Sequence, residues 1–268
     1  MKIGFIGDIV GKPGRDMIKM HLKKLRKEFD IDFVIANTEN ASHGFGINAK
    51  NAAELFNGGI DVMSGGNHTW DRGEVAECMN TMPILRPYNL PDIVPGRGAI
   101  VCDIKGAKLG VINLMGHFTM PMCDNPFLKA KEAVNFVKEQ GAEAVFIDFH
   151  AESTSEKTAL FAMLKGEVSG IVGTHTHVGT DDLTIDKGTL FLCDIGLSGC
   201  RDGVIGVDKE SPIKRFSTGL NYPFEIPKEC KKIFQMVVFE LQSRVCMDAF
   251  KIKIYDENER EITKARHE

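Results

Sequence analysis

One short run constrains the fold of this chain more than any other: Gly173-Thr174-His175-Thr176-His177. It follows the apolar pair Ile171-Val172 and precedes Val178-Gly179-Thr180, which is typical of a buried strand that opens into a loop. In such a loop both imidazoles can turn inward. Two inward imidazoles so close in sequence suit two neighbouring metal ions, and this pattern predicts further ligands elsewhere in the chain.

Three apolar runs near the N-terminus, residues 3–6, 33–36 and 60–63, each end in polar side chains. The segments between them have apolar residues at helical spacing, so strands and helices alternate and a mainly parallel sheet is predicted. The carboxyl ends of parallel strands lie at one edge of a sheet, where ligands collect. Asp8, Glu39 and Asn67 follow these runs and should therefore lie at one edge.

The alternation breaks in the later part of the chain. Residues 98–104 and 108–114 predict a hairpin, as do residues 183–193, and residues 233–241 and 249–255 predict a closing antiparallel pair. Strands over residues 144–149 and 168–172 precede His150 and the histidine run. Helices are predicted over residues 72–82 and 209–216, and residues 256–268 are charged enough to be solvated or frayed. The sheets should accordingly be mixed.

Bulk properties exclude several classes of protein. The net charge of −4 argues against a general nucleic-acid surface, which needs a concentrated basic face. Seven cysteines without a CxxC motif predict reduced thiols and no thiolate zinc site. The first strand is too short for the apolar core of a leader, and no apolar run reaches membrane-spanning length. We expect one domain over residues 1–268, in the cytoplasm and without a membrane partner.

The polar residues at the strand ends form a plausible ligand set. Carboxylate, amide and imidazole ligands suit iron or manganese, with zinc and nickel as alternatives. Taken singly, Asp8 could be a helix cap and Asn67-His68 a turn, but their repetition at successive strand ends favours a shared site. The candidate ligands are Asp8, Glu39, Asn40, Asn67, His150, His175 and His177.

Two divalent ions about 3.5–4 Å apart can clamp a phosphate and hold a hydroxide between them. Glu39 is the expected bridging ligand, because it lies between Asp8 and Asn67 in the inferred strand order. His68, next to Asn67, is the candidate catalytic residue and would protonate the leaving alkoxide. A phosphate-binding loop at Gly7 is not favoured, since the glycine-x4-glycine-lysine-serine/threonine spacing is missing.

The ordered motifs resemble those of the bacterial YmdB family, a branch of the calcineurin-like metallophosphoesterases. The resemblance extends over nearly the whole chain through residues 7–15, 37–40, 66–71, 150–152 and 173–177. In the wider superfamily an aspartate-x-histidine motif ends the first strand. Here Val10 occupies the histidine position and Glu39 replaces the bridging aspartate, as in the YmdB branch, with Asn40 as the candidate replacement for the missing imidazole.

The resemblance implies an α/β fold, a four-layer α/β/β/α sandwich with mixed sheets like that of the metallo-dependent phosphatases. It implies a dinuclear phosphodiesterase acting on 2′,3′-cyclic or 3′,5′-cyclic nucleotides. One ion would take Asp8, Glu39, Asn40 and His177, and the other Glu39, Asn67, His150 and His175. Gly179 departs from the larger polar residue expected after the histidine run.

Other functions remain open at this point. An RNA endonuclease or a phosphomonoesterase would use the same metals, and a regulatory protein with weak catalysis could bind a nucleotide or a protein partner. RNA and a second copy of the chain are therefore possible partners beside a small nucleotide. Four histidines are expected to be structural: His21, His43, His117 and His267. Residues 155–157 are expected to cap a helix, and residues 201–203 to contact phosphate or cap a helix.

Overall fold

Two mixed β-sheets pack face to face in a computed structural model that describes residues 1–256 and 259–268. The helices are α1 (Gly11–Glu28), α2 (Ala49–Gly58), α3 (Val75–Cys78), α4 (Pro126–Glu139), α5 (Thr154–Leu164) and α6 (Glu210–Thr218). The strands are β1 (Lys2–Ile6), β2 (Phe33–Asn37), β3 (Val62–Ser64), β4 (Ala99–Ile104), β5 (Ala107–Met115), β6 (Ala144–His150), β7 (Gly170–Thr174), β8 (Thr184–Asp186), β9 (Thr189–Leu192), β10 (Gly199–Cys200), β11 (Lys232–Gln242), β12 (Val245–Tyr255), β13 (Glu259–Lys264) and β14 (Arg266–His267).

The first sheet has the strand order β13-β12-β11-β1-β2-β3, with β10 paired to β11. Strands β1, β2 and β3 are parallel, and β11 runs antiparallel to β1. The second sheet has the order β14-β8-β9-β7-β6-β5-β4, and its strands β5, β6, β7 and β9 are parallel. Each sheet therefore has a block of parallel strands whose carboxyl ends share one edge.

The core has three apolar layers. Between the sheets, Phe5 packs against Phe146 with ring centroids 4.9 Å apart, and Phe146 stacks on Phe239. On the outer face of the first sheet, Met17 and Leu55 join the buried cluster from α1 and α2. On the outer face of the second sheet, α4 and α5 bury a separate cluster. The predicted four-layer α/β/β/α fold is confirmed.

Two details of the sequence interpretation were wrong. The helix predicted over residues 72–82 is only the single turn of α3. Turns around Gly73 replace its first residues, and the Arg72 side chain there donates to Phe45 O. The charged tail is not frayed over its described residues. β13 pairs with β12 and β14 pairs with β8, while the tail's charged side chains stay exposed at the sheet edge. Residues 257 and 258 lie outside the described residues.

Among the described residues, no helix has both the length and the apolar character needed to cross a membrane.

Candidate metal centre

The two sheets supply different kinds of side chain to one shared edge. Oxygen-bearing residues follow strands of the first sheet: Asp8 after β1, Glu39 and Asn40 after β2, and Asn67 after β3. Imidazoles come from the second sheet: His150 ends β6, and His175 and His177 follow β7. All seven candidate ligands lie within one connected set of contacts. Asp8, Glu39, Asn40 and His150 are almost fully buried.

His150 Nε2 lies where three other polar atoms converge. Glu39 Oε1 and Asn67 Oδ1 are each 2.9 Å from it, and His175 Nδ1 is 3.1 Å away. A single proton on Nε2 can satisfy only one of these contacts at a time. A cation would satisfy all four atoms together, and the donor atoms of Glu39, His150 and His175 lie within 4.8 Å of one another. This group has the donors of a nitrogen and oxygen metal site.

Glu39 and His150 form a buried ion pair when no metal is bound. Burial lowers the pKa of His150, but the Glu39 carboxylate outweighs this effect and raises it to about 9. Burial likewise raises the pKa of Glu39, but His150 and the backbone N–H of His68 lower it to about 2. Burial and the positive charge of His150 lower the pKa of His175 to about 3, so His175 is neutral.

We expect Mn²⁺ affinity to rise about tenfold per pH unit between pH 6 and 8. An ion at this position must displace the His150 proton, and a pKa of about 9 keeps that proton bound throughout this range. Calorimetry in buffers of different ionisation enthalpy counts the released protons. The variant His150→Asn should lose this proton release, and an affinity independent of pH would contradict His150 as a ligand.

A second group of polar side chains also contacts Glu39 Oε1. Asp8 Oδ1 is 3.7 Å from His177 Nε2, and the side-chain amide of Asn40 contacts both His177 Nε2 at 3.2 Å and Glu39 Oε1 at 3.4 Å. Within the described part of the chain, Asp8 Oδ1 is buried without a hydrogen-bond partner. Such an atom is costly to bury unless an ion or water satisfies it. This group therefore also fits a cation, and the two groups share Glu39.

Three backbone positions at the centre have unusual geometry: His175, His177 and Gly66. His175 and His177 adopt positive φ values of 94° and 64°, which are rare for residues other than glycine and occur at functional sites. A Cβ atom at Gly66 would lie 2.4 Å from both Glu39 Oε2 and His150 Nε2. Only glycine at this position allows the carboxylate and the imidazole to meet.

A buried chain of hydrogen bonds orients His150. Its Nδ1 lies 2.9 Å from Thr174 Oγ1, and the Thr174 hydroxyl donates to Asp148 Oδ1 at 2.7 Å. Since that hydroxyl has only one proton, it accepts from Nδ1–H and leaves Nε2 directed at the centre. Ser64 and Asn37 donate to the other oxygen of Asp148. Burial raises the pKa of Asp148 to about 6, with these hydrogen bonds and His150 opposing the shift.

A buried ion pair between Lys157 and Asp194 supports the backbone of the histidine loop, residues 173–177. Their side chains are 1% and 2% exposed and meet at 2.8 Å. Lys157 Nζ also donates to Thr174 O, while Asp194 accepts from the backbone N–H groups of Thr176 and Gly196. The sequence pattern predicts this role for neither residue. The helix cap expected over residues 155–157 is instead Ser153, whose Oγ accepts from Glu156 N, and Lys157 points into the core.

His68 is partly exposed and lies beside the candidate metal centre. Its backbone N–H donates to Glu39 Oε2, and its Nδ1 lies 2.8 Å from Asp71 Oδ2. The ring of Phe45 packs edge-on against the imidazole at 4.9 Å. Asp71 ends the motif of residues 66–71, whose pattern predicts no role for it. Because Asp71 contacts Nδ1, Nε2 faces away from Asp71, and His68 lines the cavity beside the centre.

Comparison with known proteins decides the family. A family model described as YmdB-like protein matches residues 5–253. This chain belongs to the YmdB-like family. It is 42% identical, over 262 residues, to the 2′,3′-cyclic-nucleotide 2′-phosphodiesterase of Bacillus subtilis (strain 168), and the match covers 96% of this chain and 98% of that protein. The predicted resemblance to the YmdB branch of the metallophosphoesterases is confirmed.

Two solved structures support the same assignment. A crystal structure described as a novel phosphatase from Mycoplasma pneumoniae superposes with a TM-score of 0.90 at 34% identity, covering 97% of this YmdB-like chain and 95% of that chain. A hypothetical protein from Thermus thermophilus has the same TM-score and identity, covering 96% of this chain and 100% of its own. The fold therefore extends over almost the full length of each structure.

Gly179 of this YmdB-like chain has a packing explanation. A Cβ atom there would lie 2.9 Å from Ile195 O and still closer to the side chains of Gln235 and Lys251. The glycine therefore fits the packing beneath the histidine loop, which explains why a larger residue is missing.

Several other expected positions lie apart from the centre. His117 is exposed, and its Nε2 contacts Cys123 O. Arg201 pairs with Asp256 rather than facing the centre. Cys200, Asp202 and Cys230 form a separate group in which burial, Cys230 and Asp202 raise the pKa of the Cys200 thiol to about 12. The thiols of Cys200 and Cys230 are therefore protonated at neutral pH.

Proposed function

We propose that this protein is a metal-dependent phosphodiesterase that hydrolyses cyclic nucleotides, with 2′,3′-cyclic nucleotides as its main substrates. The observation that carries the proposal is the pair of ligand groups that share the buried Glu39 carboxylate. The Bacillus subtilis relative, which bears the name of such an enzyme, supports the choice of substrate. The net charge of −4 gives no basis for preferring long RNA.

The ligand groups fit two ions. Asp8, Glu39, Asn40 and His177 would hold one, and Glu39, Asn67, His150 and His175 the other. Iron and manganese accept such mixed oxygen and nitrogen donors. When bound, the ions supply positive charge to the phosphoryl oxygens and lower the pKa of water towards 7, so that a nucleophile forms at neutral pH.

His68 would handle the proton on the leaving side. As water adds to phosphorus and the bond from phosphorus to O2′ breaks, the imidazolium of His68 gives its Nε2 proton to the departing oxygen. The Asp71 carboxylate accepts from Nδ1–H and so holds the ring in the orientation that this transfer needs. The Glu39 contact with the His68 backbone fixes the loop relative to the ligands.

Replacing His68 by glutamine should lower kcat for 2′,3′-cyclic AMP by about 10²–10⁴-fold with Mn²⁺ or Fe²⁺ supplied. The same variant should lose much less activity on bis-p-nitrophenyl phosphate, because p-nitrophenolate leaves without a proton. In Asp71→Asn, activity on 2′,3′-cyclic AMP should likewise fall more than activity on bis-p-nitrophenyl phosphate, but kcat should fall less than in His68→Gln. Initial rates on both substrates, with metal content determined for each variant, provide the measurement.

The matched control is His117→Gln, which removes an exposed imidazole whose hydrogen-bond partner among the described residues is the Cys123 carbonyl. Its rates should equal those of the wild type. Equal losses on both substrates in His68→Gln would show that His68 is not the acid. Wild-type protein that binds metal but turns over no phosphodiester would overturn the proposed function itself.

A further inference from the structure

An apolar cavity of about 310 Å³ opens directly beside the candidate metal centre. At its inner end lie Glu39, Asn40, His68, His175 and His177. The apolar wall of the cavity includes six side chains: Phe45, Ile205, Val207, Pro212, Phe216 and Phe224. None of these six side chains can donate or accept a hydrogen bond. The cavity therefore has one polar end and one apolar end.

Aromatic rings dominate the apolar end. The rings of Phe45 and Phe224 are nearly parallel, at 17° with centroids 6.5 Å apart, and the Arg215 guanidinium lies over Phe224 at 5.1 Å. Phe216 on α6 is 84% exposed although it lines the cavity. A cluster of exposed aromatic surface next to a polar site is typical of a ligand-binding cleft.

A short contact at Ile205 joins the apolar wall to the metal-binding edge. His177 Nδ1 lies 2.7 Å from the carbonyl oxygen of Ile205, so Nδ1–H donates to that oxygen. Val204 and Val207 exchange two backbone hydrogen bonds around the same turn. A ligand whose phosphate lies at the centre would therefore meet a wall of defined position.

We infer that this cavity binds the nucleobase of the substrate by stacking alone and scarcely distinguishes one base from another. The inference rests on the proposed function, which places a nucleotide phosphate at the polar end. Every base has a flat face that aromatic rings can stack on, whereas selecting among bases requires hydrogen bonds to their edges. The six side chains of the apolar wall form no such bonds, and Arg215, which lies over the Phe224 ring, does not line the cavity. Purines should bind somewhat more tightly than pyrimidines, because their stacked surface is larger.

The test compares five substrates: the 2′,3′-cyclic phosphates of adenosine, guanosine, cytidine and uridine, and methyl ribofuranoside 2′,3′-cyclic phosphate, which has no base. In Phe216→Ala and Phe224→Ala, KM for the four nucleotides should rise about tenfold, the scale of losing one stacking partner. KM for the substrate without a base should stay within about twofold of the wild type. In the wild type, adenosine and guanosine substrates should differ by less than about fivefold in kcat/KM.

The matched control is Ile213→Ala, which removes another exposed side chain of α6 that does not line the cavity. Its KM values should equal those of the wild type. Equal losses with and without a base, unchanged KM values in both phenylalanine variants, or strong selection of one purine would each overturn the inference. A concentration-dependent dimer that disappears in Phe216→Ala with KM unchanged would assign this surface to self-association instead.

Failure of the proposed function would be recognised separately, as no turnover of any of the five substrates. Calorimetry with adenosine 3′-monophosphate and Mn²⁺-loaded protein would then still test the cavity. Binding weakened about tenfold in Phe216→Ala would support the inference, and equal binding would overturn it.

Discussion

Replacing Glu39 by glutamine should abolish measurable hydrolysis, with a fall in kcat/KM of at least about 10³-fold. The carboxylate is shared by both ligand groups, so one substitution removes a negative charge from each proposed metal position. The volume is nearly unchanged, and a glutamine oxygen can still accept from His68 N–H. Metal content by mass spectrometry, initial rates on 2′,3′-cyclic AMP and thermal unfolding of the metal-free protein are the measurements.

The metal-free variant should remain folded. Once the carboxylate is neutral, the main cause that raises the pKa of His150 is gone, and burial then favours the neutral imidazole. Glu132→Gln is the control, because that exposed carboxylate pairs only with Lys129 and Tyr88 among the described residues. If Glu39→Gln kept two ions per chain and retained activity within about tenfold of the wild type, the shared-ligand arrangement would be wrong.

The candidate ligands could be proposed from the sequence because each lies at or just after the end of a short apolar strand. Strand order and the shared edge follow from the alternation of strands and helices, which explains why Glu39 was placed between Asp8 and Asn67. The structure adds a division that the pattern did not show. The candidate oxygen ligands come from one sheet and the candidate imidazole ligands from the other, so they meet only when Phe5 and Phe146 pack the sheets together.

The supporting residues could not be predicted, since their partners are distant in sequence. Asp148 looks like one polar residue inside an apolar strand, and only the packed sheets bring Ser64 and Asn37 to it. The β13 and β14 strands were missed for a different reason. Charged side chains suggested solvated coil there, whereas backbone pairing at a sheet edge tolerates exposed charge on the side chains.

Replacing Lys157 by methionine should destabilise the fold by about 3–5 kcal/mol, the cost of leaving one partner of a buried ion pair uncompensated. Methionine keeps much of the length of the lysine stem but leaves the 2% exposed Asp194 carboxylate without its cation. Lys165→Met is the control from the turn after α5. This substitution breaks the ion pair between Lys165 and Asp186, in which the lysine side chain is 33% exposed. It should lower the free energy of unfolding by about 1 kcal/mol or less. Urea unfolding of metal-free protein gives each free energy.

The double variant Lys157→Met/Asp194→Asn separates charge from position. Removing both charges should recover most of the lost stability, because the introduced asparagine is neutral and its amide oxygen still accepts one of the two backbone N–H bonds. Metal affinity should be lower than in the wild type in both the single and the double variant. In each of them the Lys157 bond to Thr174 O is absent, so the histidine loop is held less firmly. A single Lys157→Met variant as stable as Lys165→Met would contradict the buried pair. A double variant with wild-type metal affinity would instead show that the pair stabilises the fold without positioning the ligands.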